Sequence, residues 1–239
     1  MADSMKKYLV LHGEEKTFAN FQDLAKSMQD DHGVVKCIEL AKNGVITAVY
    51  PVKGNEHALG VNLLKADNRR YEAEIAKINN DYTIAGPFPL VQGGIGALLL
   101  DPIYVTENDG RTKFWGYVVI VLDWNKYLKE VNIEHLESLG YSFDLWHENP
   151  YTGAHNSIAS TKNAVTKEAL QVKFEMPNDT WYMDVEMRDG WISYEEVELY
   201  NMVSLLVAIM LSFSYWLYLS RDAKEKLYKQ ELEAALAKA

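Results

Sequence analysis

The hydrophobic pattern is densest between Tyr82 and Asp123. Three β-rich runs lie there: Tyr82-Thr-Ile-Ala-Gly-Pro-Phe, Ala97-Leu-Leu-Leu-Asp-Pro-Ile-Tyr-Val and Phe114-Trp-Gly-Tyr-Val-Val-Ile-Val. The last two are almost wholly apolar, and such runs between turn residues predict central strands. Gly93, Gly94 and Gly96 mark a tight bend or a close approach of backbone. Glu107-Asn-Asp-Gly predicts a turn between the second and third runs. Upstream, Val34 to Ala41 and Val45 to Val52 read as two strands around Lys42-Asn-Gly, a hairpin signal. The sum is a five-stranded antiparallel sheet with helices on one side, an α+β architecture.

Helical spacing flanks this sheet. Phe18, Phe21, Leu24, Ala25 and Met28 recur at three and four residues across Lys16 to Asp30, with Thr17 placed to cap. Asp67 to Asn80 predicts a second helix, capped by Asp67 or Asn68, with Tyr71, Ile75 and Ile78 on one face. Trp124 to Leu139 predicts a third, with Tyr127, Leu128, Val131 and Leu136 at core spacing and Gly140 closing it. Beyond it, Tyr141 to His147, Ile158 to Ser160, Leu170 to Met176 and Trp181 to Met187 read as strands of a smaller sheet, with turns at Asn149-Pro-Tyr-Thr-Gly and Pro177-Asn-Asp.

From Leu199 to Ser220 no residue is charged. Twenty-two residues at about 1.5 Å each reach about 33 Å, the thickness of a bilayer's hydrocarbon core. Tyr200 at one end and Tyr215, Trp216 and Tyr218 at the other match interfacial aromatic belts. A core helix of a soluble domain rarely stays apolar on every face for this length, so the stretch predicts a membrane span. Glu195, Glu196 and Glu198 precede it, and Arg221, Lys224, Lys226 and Lys229 follow. The basic flank marks the cytoplasmic side and places the N-terminal bulk outside. An exported domain needs a signal peptide or an earlier span, and Met1 to Lys16 holds neither. The chain is therefore expected to be part of a longer protein, or to start after a first transmembrane helix. Arg221 to Ala239 is a strong helix former whose Tyr228, Leu232, Ala235 and Ala239 suit either a two-helix linker or a solvated helix.

Composition narrows the chemistry. The 239 residues carry 24 basic and 34 acidic side chains, a formal charge of −10, which excludes the positive footprint that nucleic acid demands. The single cysteine, Cys37, precludes an internal disulfide and reads as a buried structural thiol on an alternating strand. The six histidines show neither metal-ligand nor triad grouping, and no phosphate-binding loop is present. No metal, cofactor or catalytic motif is therefore expected. Asn178-Asp-Thr matches a glycosylation sequon, a tripeptide common by chance.

A family resemblance rests on Val45-Ile-Thr-Ala-Val-Tyr-Pro, Gly54-Asn-Glu-His-Ala-Leu-Gly, Asn62-Leu-Leu, Ala85-Gly-Pro-Phe, Gln92-Gly-Gly, Pro102-Ile-Tyr and Phe114-Trp-Gly, with Met176-Pro-Asn-Asp-Thr-Trp and Gly190-Trp further on. From about Thr17 to Trp191 the chain resembles the CHASE domain, the extracellular sensory module of bacterial histidine kinases and diguanylate cyclases and of plant cytokinin receptors. Leu100-Asp101 stands where the family often has an arginine before Pro-Ile-Tyr.

The resemblance implies a long N-terminal stalk helix over 1–33 and two PAS-like antiparallel-sheet subdomains in tandem. These are a membrane-distal one at 34–123 and a membrane-proximal one at 124–192, followed by the transmembrane helix at 199–220 and a cytoplasmic helical linker at 221–239. It also implies a small-molecule ligand on the distal sheet. Asn62 aligns with a polar residue that contacts the bound base in the plant receptors, Ile84 and Gln92 line the implied pocket, and Tyr50, Tyr104 and Trp115 are aromatic candidates beside it. For each, ordinary core packing is the competing reading, and it is the stronger one for Tyr50, Ile84 and Tyr104. A polar side chain beside a glycine corner must find a partner, and a ligand is one. The tail resembles the linker before the dimerisation helix of hybrid histidine kinases. The expectation is a homodimeric ligand-sensing input module of such a kinase. The alternatives are the same sensor on a diguanylate cyclase, or a membrane-anchored surface domain that contacts other proteins without a small ligand.

Overall fold

The computed structural model describes every residue except 30, 31, 108, 151, 164, 167, 168, 192, 193 and 237–239. Asp30, Asn108, Tyr151, Ser193 and Ala239, which end or punctuate predicted elements, lie outside the described residues. Two units are distinguished, Met1–Glu186 and Met187–Ala239.

The first unit opens with α1 (Ala2–His12) and α2 (Glu14–Ser27), then β1 (Val35–Lys42), β2 (Val45–Tyr50), α3 (Arg70–Asn79), β3 (Thr83–Pro89), β4 (Ile95–Thr106) and β5 (Thr112–Asp123). The five strands form one antiparallel sheet in the order β2-β1-β5-β4-β3. The β1–β2 hairpin turns at Asn43 and Gly44, both at positive φ, as the Asn-Gly pair dictates.

Helices cover both faces of this sheet, not one. Met5 and Leu9 of α1 and Phe21 and Ala25 of α2 pack with Ile38, Leu40, Ile103, Trp115, Val118 and Ile120. On the opposite face Ala73 and Ala76 of α3 pack with Cys37, Ala41, Leu98, Leu100, Tyr117, Val119 and Val121. Alternate residues of β5 therefore point into two different cores, which is why that strand reads as one unbroken apolar run.

Three helix expectations need correction. The N-terminal region is two helices instead of one long one, because Gly13 sits at φ +81 between them. Thr17 lies inside α2, where its hydroxyl donates to the Gly13 carbonyl at 2.7 Å; the N-cap is Gly13. On α3 the buried residues are the small Ala73 and Ala76, while Ile78 faces solvent. The Tyr117 hydroxyl donates to the Ala73 carbonyl at 2.6 Å, drawing this helix so close to the sheet that only alanine fits beneath it.

After β5, the predicted third helix is broken at Asn132 (φ +52) into α4 (Trp124–Glu130) and α5 (Glu134–Ser138). Tyr127 and Val131 are exposed, and the buried residue is Trp124, whose ring meets Trp181 edge-on at 6.0 Å. Strands β6 (Tyr141–Glu148), β7 (His155–Ser160), β8 (Leu170–Glu175) and β9 (Thr180–Met187) make the second sheet, in the order β7-β6-β9-β8.

The second unit is dominated by α6 (Tyr194–Leu236), a continuous helix of 43 residues, about 65 Å at 1.5 Å per residue. Within it Glu196–Gln230 is long and apolar enough to cross a membrane, and none of its most apolar stretch is buried in the chain. Leu205, Leu206, Ile209, Met210, Leu211 and Phe213 are each more than half exposed. Such a surface is stable in lipid and not in water.

Candidate functional site

The layer between the first sheet and α3 is mostly apolar, with a few polar side chains buried in it. Strand alternation sends Cys37, Glu39 and Ala41 of β1 to this side. Glu39 is 1% exposed and pairs along the backbone with Val49 of β2 and Val119 of β5. Its Oε1 accepts the weak S–H of Cys37 at 3.4 Å. Its Oε2 is buried with no hydrogen-bond partner. Burial raises the carboxyl to about 7, against smaller lowering effects of Cys37 and the Arg69 charge. Cys37 is itself buried, as expected, and burial followed by the charge of Glu39 pushes its thiol up.

Arg69, at the N-cap of α3, is 4% exposed. Its Nε donates to Asn68 Oδ1 at 3.1 Å, and its guanidinium lies 4.9 Å from the Phe88 ring centroid. Burial lowers its pKa and Glu39 opposes that, yet no carboxylate among the described residues lies within ion-pair distance of it. Asn55, 3% exposed, opens the loop that sends Ala58 and Leu63 into the same layer. Its Nδ2 donates to the Pro51 carbonyl at 3.0 Å, but its Oδ1 is a second buried acceptor without a donor. Native interiors rarely leave such groups unpaired, and each one calls for a water, an ion or a ligand.

The six residues nominated from the sequence fall on different sides of the sheet. Gln92, in the loop between β3 and β4, donates from Nε2 to Cys37 Sγ at 3.7 Å and so reaches the α3 layer. Tyr104 is on that side too: its hydroxyl donates to the Lys77 carbonyl of α3, and its ring meets Phe114 at 5.5 Å. Asn62 borders the layer between Val61 and Leu63, its Oδ1 accepting the Leu64 N–H at 3.0 Å. Tyr50 and Trp115 pack on the opposite face, against α1 and α2. Trp115 Nε1 donates to Glu14 Oε2 at 2.9 Å, and Lys42 together with this bond holds the Glu14 carboxyl below its ordinary range. The backbone of Ile84 is bonded by the Asn178 side chain. At the position where the family often carries an arginine, Asp101 forms an ion pair with Lys6 of α1 at 2.9 Å.

Glu39, Arg69 and Asn55 were not singled out from the sequence. The signal was present: Cys37 was read as facing inward, and a strand that turns Cys37 inward also turns Glu39 inward.

A cleft of about 240 Å³ is lined by Asp67, Asn68, Glu72, Phe88, His147 and Asn156 among others; Asn68 and Phe88 are the residues that touch Arg69. It lies between α3, β3 and the β6–β7 hairpin. Its far wall is ordered by His147, which bonds Asp179 Oδ2 through Nδ1 at 2.6 Å and Asn156 Nδ2 through Nε2 at 2.8 Å. On the α3 side of the cleft, burial raises the pKa of Glu72. Trp115 lines a separate cleft of about 250 Å³ with Glu14, Lys42 and Lys113. No cluster of His, Cys, Asp and Glu suited to a metal occurs among the described residues.

Two antiparallel sheets and an apolar helix towards the C-terminal end describe an α+β module. The family model of the CHASE domain matches residues 14–155, and the chain belongs to this family of extracellular sensory domains. Among solved structures it is similar to an extracellular ligand binding receptor from Desulfohalobium retbaense, at TM-score 0.55 and 11% identity over 77% of this chain and 35% of that one. It thus spans about a third of that receptor's length. The periplasmic domain of Vibrio cholerae LuxQ aligns at TM-score 0.41 and 10% identity, over 77% of this chain and 85% of that one. No curated protein matches the chain.

Proposed function

We propose that the chain is the ligand-sensing input module of a transmembrane receptor with a histidine kinase output. In this reading a small molecule binds on the α3 side of the first sheet and biases the position of the helix that crosses the membrane. The observation that carries it is the Glu39 carboxylate oxygen, buried without a donor in the layer that Gln92 reaches from the glycine corner. A domain whose only task was surface contact would have no need to keep an ionisable group and an unmade hydrogen bond in its core.

The strand order β2-β1-β5-β4-β3 and the four-stranded second sheet support two PAS-like subdomains at 34–123 and 124–192. Acidic residues before the apolar stretch of α6 and basic residues after it support an external sensory part and a cytoplasmic helical end. Homodimerisation through the N-terminal helices and the end of α6 would carry the shift to the output. A ligand can drive this only through different affinities for two arrangements, about 1.4 kcal/mol giving a tenfold change.

The test is a thermal-unfolding screen of the full chain in lipid nanodiscs against small polar molecules. A compound that raises the midpoint of the wild type should lose its effect in Gln92→Leu or Asn62→Leu. Equal stabilisation of both variants and of Glu39→Gln would place the ligand elsewhere.

A further inference from the structure

The partners left unmade around Glu39 specify a charge class for the ligand, resting on the sensor reading above. Two groups on the α3 side carry opposite formal charges, are almost fully buried, and do not meet. Glu39 lacks a donor at Oε2. Arg69 has five N–H donors, one of them spent on its neighbour Asn68, and its planar face rests on Phe88. A direct Glu39–Arg69 ion pair would satisfy both, yet neither appears in any ion pair of the described residues. Asn55 adds another acceptor without a donor. Glu39 and Asn55 are short of donors, and Arg69 has donors to spare.

We infer that the site takes a small zwitterion with a primary or secondary ammonium, an amino-acid-like molecule, its N–H donors on Glu39 and its carboxylate on the Arg69 guanidinium. An ammonium supplies charge and several donors together, and a carboxylate matches the guanidinium fork in two parallel hydrogen bonds. A divalent cation fits poorly: it needs six or more oxygen ligands, and Arg69 would repel it. A quaternary ammonium brings charge without an N–H and leaves Oε2 unpaired. A singly charged ligand leaves one of the two buried charges uncompensated, at a cost.

The route in is beside Arg69. Its two supports, Asn68 and Phe88, both form part of the wall of the 240 Å³ cleft, so the guanidinium is one contact removed from that cleft. One hydrogen bond to an adjacent residue and one ring contact hold it, a light attachment that a carboxylate entering the cleft can replace.

The probes are the common L-amino acids at millimolar concentration, with matched alkylamines, carboxylates and the N-trimethylated form of any amino acid that binds. The readout is the unfolding midpoint of the full chain in lipid nanodiscs. At least one amino acid should raise the wild-type midpoint by several degrees, while its amine-only, acid-only and trimethylated counterparts do not. Glu39→Gln and Arg69→Gln should each abolish the shift, and Arg69→Lys should retain part of it, which separates loss of charge from loss of fold. Equal stabilisation by a singly charged or trimethylated probe would overturn the inference, as would an undiminished shift in Glu39→Gln. If no amino acid acts but an uncharged or purely anionic compound does, the charge class fails and the sensor reading stands. If nothing of any class acts, both fail together.

Discussion

The side-chain amide of Asn178 holds the backbone of Ile84 as a neighbouring strand would. Its Oδ1 accepts the Ile84 N–H at 2.7 Å and its Nδ2 donates to the Ile84 carbonyl at 3.1 Å. Ile84 lies on β3, an edge of the first sheet, where unpaired backbone groups would otherwise be left. Asn178 comes from the turn between β8 and β9, so one amide ties the second sheet to the rim of the first. The next residue, Asp179, orients His147 in the cleft wall. Asn178→Ala removes both bonds and should lower stability by about 1–3 kcal/mol. Chemical denaturation of wild type and variant checks the size. Asn178→Asp keeps the acceptor but sets a carboxylate against the Ile84 carbonyl, and should do no better than alanine at neutral pH.

The buried acid makes stability depend on pH in a direction opposite to most carboxylates. Glu39 moves from 4.5 to about 7 in the folded protein. Between those values the folded state holds a proton that the unfolded chain has lost, so stability is fully present below about 4.5 and falls as pH rises towards 7. A displacement of that size corresponds to roughly 3 kcal/mol as an order of magnitude. The groups facing the carboxyl are Cys37 on its own strand and Arg69 at the head of α3; β2 and β5 present Val49 and Val119. Glu39→Gln should remove this slope and leave a protein more stable than the wild type at pH 8. Denaturation midpoints measured across pH 5 to 8 decide it: parallel profiles for the two proteins would show that Glu39 does not titrate in that window.

Three glycines separate close approach from turn geometry. A Cβ on Gly116 would lie 2.0 Å from the Ala41 carbonyl oxygen, and one on Gly96 would lie 2.6 Å from that of Leu122. In both cases the obstacle is backbone of an adjacent strand, which cannot step aside without breaking the ladder. Gly54, at φ +85, has nothing within 4 Å of the added carbon. Gly116→Ala should therefore prevent folding or cost several times more than Gly54→Ala, whose penalty is the left-handed conformation alone, about 1–2 kcal/mol. Comparable losses in the two variants would show that the β1–β5 spacing is looser than described.

The underside of α3 shows how much of the fold was legible in the sequence and where legibility stopped. The strands emerged because β-branched runs between glycine and proline turns have few other uses, and the hairpin emerged because Asn43-Gly44 suits one turn type. Which face of α3 is buried did not emerge. Helical spacing of the largest apolar residues pointed to Tyr71, Ile75 and Ile78, but the contact distance is set by the Tyr117–Ala73 hydrogen bond, a fact about a strand 44 residues away. The second covered face of the sheet was missed for a related reason: alternation in β5 is invisible when both sides are apolar. The buried line of Glu39 and Arg69 was hidden because a lone charge in a strand looks like a solvent-facing residue until its neighbours are placed. Ala76→Leu should test the spacing. With no exposed surface at Ala76 the larger side chain has nowhere to go, and a loss of about 1–3 kcal/mol is expected. Ile78→Ala, on the solvent side, should cost less than about 0.5 kcal/mol.

Orientation across the membrane is open to direct labelling because Cys37, the only cysteine, is buried. Lys129 at the end of α4 and Lys224 on α6 are both exposed, so Lys129→Cys and Lys224→Cys present a thiol on either side of the apolar stretch. The acidic flank before that stretch and the basic flank after it favour export of the first unit and retention of the last turns of α6. In intact cells expressing the receptor, a membrane-impermeant maleimide should label Lys129→Cys and leave Lys224→Cys unreacted until the membrane is opened. Charge reversal of the flank, with Arg221, Lys224, Lys226 and Lys229 replaced by Glu, should reduce labelling at position 129, because the bias that retains that end is gone. Labelling of both sites in intact cells would mean that α6 does not span. Labelling of 224 alone would invert the topology and place the ligand layer on the cytoplasmic side, and with it the whole sensing arrangement would face the cell's own contents.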